Sequence, residues 1–217
     1  MKFPERTPEN LRRLHSLTGV VPLGFFLLEH LAVNATALGG PAAYRSAVET
    51  LGRTPLLPVL EVGLIALPLA IHTVIGVLLA TELNPAGRPD VAEPGVAVQR
   101  VTGLLLLPYL IYHVWATRLS PEVLKGGADL IAILGKQVAS APGFAFHAAG
   151  VTLAAYHFGH GLRSFAVRWG LARDRAAERA AQRLGLALAV VLAVVGVASL
   201  ASFARHAQAV VAAAGPR

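Results

Sequence analysis

RRLHSLTGVVPLGFFLLEHLAVN, residues 12–34, places two arginines before an apolar run whose titratable members are His15, Glu29 and His30. Read from Leu14 to Leu38, the run is long enough to cross a bilayer, since about 20 residues at 1.5 Å rise per residue cover roughly 30 Å of hydrocarbon. Four further stretches read the same way: Leu56 to Thr81, Val98 to Thr117, Gly143 to Val167 and Leu184 to Ala204. Backbone polar groups in hydrocarbon must be satisfied within the segment, and the two-residue alternation of a barrel strand is absent, so all five are expected to be helices. The expected fold is an all-α integral membrane protein, residues 1–217 forming one transmembrane domain. Pro22, Pro58, Pro68 and Pro108 fall inside spans and predict kinks rather than ends.

Composition agrees. Of 217 residues, 55% are apolar and 14% charged, against about a quarter charged in a soluble domain. The five spans use about half the chain, leaving connections too short for a separate soluble domain. There is no cysteine, which removes disulfides, thiolate-held clusters and covalent c-type haem. The first apolar run lacks a small-residue cleavage site and reads as a retained span rather than a signal peptide. No internal repeat stands out.

The net charge of +7 is explained by topology. Lys2, Arg6, Arg12, Arg13, Arg88, Arg100, Arg163, Arg168, Arg173, Arg175, Arg179 and Arg183 fall on one side, and seven of the nineteen cations on the other. The positive-inside rule then predicts a cytoplasmic N-terminus and an external C-terminus. Residues 172–183, ARDRAAERAAQR, read as a short interfacial helix.

Four of the eight histidines lie deep in spans one to four: His30, His72, His113 and His157. Ionisable groups in a membrane are expensive and usually face a bundle interior, a pathway or a cofactor. Counted from flanking charges, His30 lies about 25 Å and His113 about 20 Å from the inner face, whereas His72 and His157 both lie roughly 15 Å from it. Two pairs at two heights in a four-helix core, with the fifth helix beside it, suit two stacked bis-histidine haems. Gly76 and Gly161 follow His72 and His157 by four residues, and Gly19, Gly24, Gly103 and Gly150 lie elsewhere in the spans; small residues of this kind admit a flat ring close to a helix. His15 and Ser16 are placed to meet the propionates of the inner haem, and so is Arg168, whose planar fork suits carboxylates. His160 is a rival ligand one turn beyond His157. His147 and His206 are expected at the outer boundary, facing water or headgroups. Glu29, Glu49 and Glu61 gather on the outer side, where they are candidates for proton exchange with a quinone.

The phrases RRLHSLTGVVPLGFFLLEHLAVN (12–34), LPLAIHTVIGV (67–77), QRVTGLLLLPYLIYHVWATR (99–118) and YHFGHGLRSFAVRWG (156–170) resemble the membrane-anchor cytochrome b of succinate:quinone oxidoreductases. The likeness is to the single-chain, five-helix, two-haem type of menaquinone-linked succinate dehydrogenases and fumarate reductases. It implies that His30 and His113 hold a distal haem b, that His72 and His157 hold a proximal one, and that His15, Ser16 and Arg168 contact the proximal propionates. It implies as partners a flavoprotein subunit carrying FAD, an iron-sulfur subunit and menaquinone, with no dicarboxylate site in this chain, in a bacterial cytoplasmic membrane. Some fumarate reductases of the group carry a Glu two residues before the fourth ligand, proposed to conduct protons; Ala155 stands there instead. A diheme cytochrome b of a hydrogenase or formate dehydrogenase is the alternative redox reading, and a transporter or scaffold the non-redox one.

Overall fold

Apolar segments that cannot satisfy their backbones with water must do so internally, and the computed structural model, which describes residues 8–81, 94–126 and 129–213, is helical throughout its spans. Lys2, Arg6, Arg88 and the other charges in the remaining stretches lie outside the described residues. Helix α1 (Glu9–Val20) and helix α2 (Pro22–Ala35) make the first span together. Pro22 has no N–H for the Thr18 carbonyl, and the helix is interrupted at Val21, yet the Phe25 N–H still bonds the Val21 carbonyl at 3.1 Å. The first span therefore breaks at Pro22 without ending.

A short helix α3 (Pro41–Gly52) follows. Helix α4 (Leu57–Ala80) is the second span, and its residues Glu61–Ala66 form a π-turn. Pro68 cannot donate to the Leu64 carbonyl and its ring would collide with it; the wider turn just before the proline accommodates both faults. Helix α5 (Pro94–Ala116) carries Pro108 in its interior. Helices α6 (Leu130–Val138) and α7 (Ala141–Arg168) meet at 106°, with Ser140 capping α7 by accepting the Gly143 N–H at 3.2 Å. Helix α8 (Arg175–Ala213) is the last described helix, with 39 residues.

Among the described residues four helical runs are long and apolar enough to cross a membrane, namely Glu9–Gly39, Leu57–Ala80, Gly95–Ala116 and Arg175–Ala209, and the bent pair α6 and α7 makes a fifth if it counts as one span. The expected all-α membrane fold holds. Two expectations fail. Pro58 does not kink the second span but stands in its opening turn, where a missing N–H costs nothing. Residues 172–183 are not a separate interfacial helix, because α8 starts at Arg175 and runs without interruption into the last span. Alanine and the paired charges there are good helix formers, and nothing between Arg183 and Leu184 breaks the ladder.

Helices α7 and α8 touch backbone to backbone where Gly159 meets Gly185, the close approach that small residues permit in a membrane. Leu31, Ala155 and Leu192 form the buried cluster beside this contact. Helix α4 instead presents Val59, Val62, Leu64, Leu67 and Val74 outward, as a lipid-facing helix must. At the end of the bundle opposite the start of α1, here termed the far end, Tyr44 of α3 packs edge-on to Phe203 of α8, 5.0 Å between ring centres. Ala37, Ile131 and Val138 join them.

Arg45 Nη2 pairs with Asp129 Oδ2 at 2.7 Å, and Asp129 also caps α6 by accepting the Ile131 N–H at 3.2 Å. Arg45's hydrogen bond holds the Asp129 carboxyl below the usual carboxylate range. A depressed carboxyl stabilises fully above its unfolded pKa of about 4 and loses that contribution as pH falls through the lower folded value. Acidification should therefore speed amide hydrogen exchange in α3 in the native protein, and Asp129→Asn should show the faster exchange already at neutral pH with a flattened acid response.

Candidate functional site: two levels of paired histidines

An imidazole inside an apolar bundle needs a partner for its N–H, and backbone carbonyls of the next helix are the nearest supply. On the level nearer the start of α1, the His15 and His72 rings stack at 3.9 Å with 14° between planes. His15 Nδ1 lies 3.0 Å from the His72 carbonyl, and His72 Nδ1 lies 2.9 Å from the His15 carbonyl. Carbonyls only accept, so both Nδ1 atoms carry the proton and both Nε2 atoms keep a lone pair. The rings come this close because of glycine. A Cβ on Gly19 would stand 2.5 Å from His72 Cε1, and one on Gly76 would stand 3.0 Å from His15 Cε1.

His157 of α7 faces His72, 6.2 Å between ring centres and 86° between planes. Its ring lies over Gly103 of α5, where a Cβ would stand 2.9 Å from Cε1. Gln99 Nε2 donates to the His157 carbonyl at 2.9 Å, and Thr102 Oγ1 lies 3.3 Å from His157 Nδ1. These contacts expose a pattern the sequence reading missed. His15-Ser-Leu-Thr18-Gly19 recurs as Gln99-Arg-Val-Thr102-Gly103, each glycine under a histidine of the facing helix. A search for the shared spacing Thr-Gly three residues after a long polar side chain would have found it.

On the far level, His30 of α2 meets His113 of α5 at 5.9 Å between ring centres and 83° between planes. Phe26 flanks His30 at 5.3 Å, and Tyr109 stacks on His113 at 5.7 Å. His113 Nδ1 is buried without a hydrogen-bond partner. His147 belongs here as well. It was expected to face water or headgroups, but it is only 3% exposed and is enclosed by Tyr109, Tyr112, Phe146 and His113. Position near a span's end does not reveal that rings of α5 close over the side chain.

The structure thus brings together His30 with His113, and His72 with His157. Among the described residues no group of three or more His, Asp or Glu side chains converges to hold a metal ion. The residues would suit haem, whose iron takes histidine ligands: each facing pair would offer it two imidazoles, and on the near level the Nε2 atoms of His15 and His72 keep their lone pairs. His160 points elsewhere, stacked on Tyr156 at 6.0 Å with Nε2 against Gly95 of α5.

The remaining expected residues are distributed as follows. Ser16 Oγ donates to the Arg13 carbonyl at 2.9 Å and accepts from Trp169 Nε1 at 3.2 Å. Arg168 Nη1 bonds Glu9 Oε1 at 2.6 Å, and Arg13 lies over the Trp169 ring at 5.9 Å. These contacts close the near end of the bundle. Glu29 lines a cleft of about 500 Å³ at the far end, with Val33, Ala43, Ser46, Thr50 and Thr54. Glu49 is exposed on α3. Glu61 is held by Arg118, Nη2 to Oε2 at 2.8 Å and Nε to Oε1 at 3.2 Å, a two-pronged pair that ties the π-turn to the end of α5.

The succinate dehydrogenase/fumarate reductase transmembrane subunit family matches residues 91–199. The succinate dehydrogenase cytochrome b558 subunit of Bacillus subtilis (strain 168) is 40% identical over 163 residues, covering 74% of this chain and 79% of that protein. No solved structure matches.

The Glu61–Arg118 pair generates a test of its own. A double-mutant cycle with Glu61→Gln and Arg118→Gln, read by thermal unfolding in detergent, should give a coupling of no more than ~1 kcal/mol, as befits a half-exposed pair.

Proposed function

Because the chain belongs to the succinate dehydrogenase/fumarate reductase transmembrane-subunit family, we propose that it is the membrane-anchor cytochrome b of a succinate:quinone oxidoreductase. Its role is to pass electrons between an iron-sulfur subunit and menaquinone, with two haems b held by His72 and His157 on the near level and by His30 and His113 on the far level. The observation that carries this reading is the pair of imidazole separations, 6.2 and 5.9 Å, at two heights of one helical core. Haem iron supplies one-electron redox chemistry when bound, and the protein sets its ligands, burial and hydrogen bonds.

The chain's own residues divide the work. Glycines 19, 76 and 103 let imidazoles lie against the neighbouring backbone, and the carbonyls of His15 and His72 hold ring protons on the side away from Nε2. With the single neutral proton of His15 and the hydroxyl proton of Ser16 both engaged, Arg168 is the better of the three proposed propionate partners, since its guanidinium retains further N–H groups. On the far level, the open cleft beside Glu29 would offer a quinone apolar contacts from Val33, Ala43, Ala47 and Leu51 beside a carboxyl to give or take a proton. Glu29 is the stronger candidate there; Glu61 is already bound to Arg118 and Glu49 faces outward. The positive-inside rule puts the near end, and with it the iron-sulfur and FAD-bearing flavoprotein partners, on the cytoplasmic side of a bacterial membrane. Family membership removes the ground for a hydrogenase or formate dehydrogenase subunit.

His113→Ala, purified with its partner subunits, should lose one of two b-type haems by pyridine extraction and retain the one assigned to His72 and His157. Loss of both with retained folding, or loss of neither, overturns the paired assignment. Glu29→Gln should keep both haem spectra and slow quinone turnover by about 10-fold or more, the order expected for a general acid–base residue; unchanged turnover returns Glu29 to a structural role.

A further inference from the structure

Two helix contacts on the near level are built alike. His15 and Gly19 of α1 face His72 and Gly76 of α4, and Gln99 and Gly103 of α5 face His157 and Gly161 of α7. Each helix thus brings a hydrogen-bonding side chain and, four residues on, a glycine. In the first contact His72 Nδ1 donates to the His15 carbonyl at 2.9 Å, and His15 Nδ1 returns a bond to the His72 carbonyl at 3.0 Å. In the second the His157 ring is hydrogen-bonded to the Gln99 backbone, and Gln99 Nε2 returns a bond to the His157 carbonyl at 2.9 Å. The glycines complete the match. Gly19 lies under His72 and Gly103 under His157, while Gly76 lies under His15 and a Cβ on Gly161 would meet Gln99 Nε2 at 3.5 Å. The threonines agree as well, with Thr18 Oγ1 3.4 Å from His72 Nδ1 and Thr102 Oγ1 3.3 Å from His157 Nδ1.

We propose that His15 and Gln99 are equivalent positioning residues, each aiming one of the two near-level ligands, His72 and His157. A ligand ring bonded to the main chain of another helix stays aimed only while the two helices keep their separation and register. The return bond, from the side chain of His15 or Gln99 to the ligand's own carbonyl, holds that register at the turn that carries the ligand. It requires an N–H near the end of a side chain, which imidazole and carboxamide both supply. His15 is thereby assigned to His72 rather than to a propionate, and Gln99, to which the sequence reading gave no role, becomes its counterpart. The inference rests on the two-haem reading above. Groups that orient a metal-bound histidine also tune its metal, so loosening either contact should be felt by the near-level haem alone.

The experiment is a redox titration of the complex, purified with its partner subunits, with electron paramagnetic resonance of the oxidised haems. The near-level haem is the one that survives His113→Ala. His15→Leu and Gln99→Leu remove the return bond at similar bulk; each should shift the near-level low-spin signal and midpoint potential and leave the far-level haem unchanged. His15→Gln and Gln99→His exchange the two side chains between the matched positions and should keep the near-level signal and potential where the wild type has them. Should the leucine variants fail to assemble, the exchange variants still decide. The proposal is overturned by a shifted near-level haem in either exchange variant. It is equally overturned by leucine variants that lower thermal stability without moving the near-level haem, or by an effect at position 15 with none at position 99. A wild-type complex without two b-type waves defeats the haem reading instead, so the two failures are told apart.

Discussion

Every other feature of this protein depends on placing an imidazole N–H in a medium without water. The donor must find an acceptor inside the bundle, and in a helix the acceptors lie on the backbone. A ring reaches the backbone of a neighbouring helix only where no Cβ intervenes. Gly19, Gly76 and Gly103 meet that need, and in doing so they bring α1 to α4 and α5 to α7. The distances between helices and the orientation of the histidines are thus consequences of one another. A larger residue at Gly19 or Gly103 would move a helix and a candidate ligand together.

The two levels solve the same problem unequally. On the near level, backbone carbonyls and threonine hydroxyls account for the ring protons of His15, His72 and His157. On the far level, His113 lies among aromatic rings with Nδ1 buried and unpartnered. Aromatic faces exclude water without offering an oxygen to hydrogen-bond, so the far imidazoles are held by shape where the near ones are held by directed bonds. That contrast gives two chemically similar pairs distinct surroundings within one fold, and surroundings are what set the potential of a haem.

Much of this was legible from residues alone. The partnering of His30 with His113 and of His72 with His157 follows from a rise of about 1.5 Å per residue counted from flanking charges, because membrane helices run nearly straight through the layer. The interruption at Pro22 follows from a missing N–H. Other features required three dimensions. The π-turn at Glu61–Ala66 depends on how Pro68 is accommodated, and proline alone signals a fault without specifying its remedy. His147 was misjudged because nearness to a span's end says nothing of what packs around a side chain, and Tyr109, Tyr112, His113 and Phe146 enclose this one. The Thr-Gly pattern around Thr18 and Thr102 was hidden because its significance lies in the histidine each site receives from another helix, and those are distant in the chain.

Helix α8 is 39 residues long, about 58 Å at the usual rise, roughly twice the thickness of the hydrocarbon. Its opening turns carry Arg175, Glu178, Arg179 and Arg183, and Glu178 grips Arg163 of α7 at 3.4 Å. Since no joint separates those turns from the rest, the charged tip and the apolar span are one continuous rod, clasped to α7 at both the Glu178–Arg163 pair and the Gly159–Gly185 crossing.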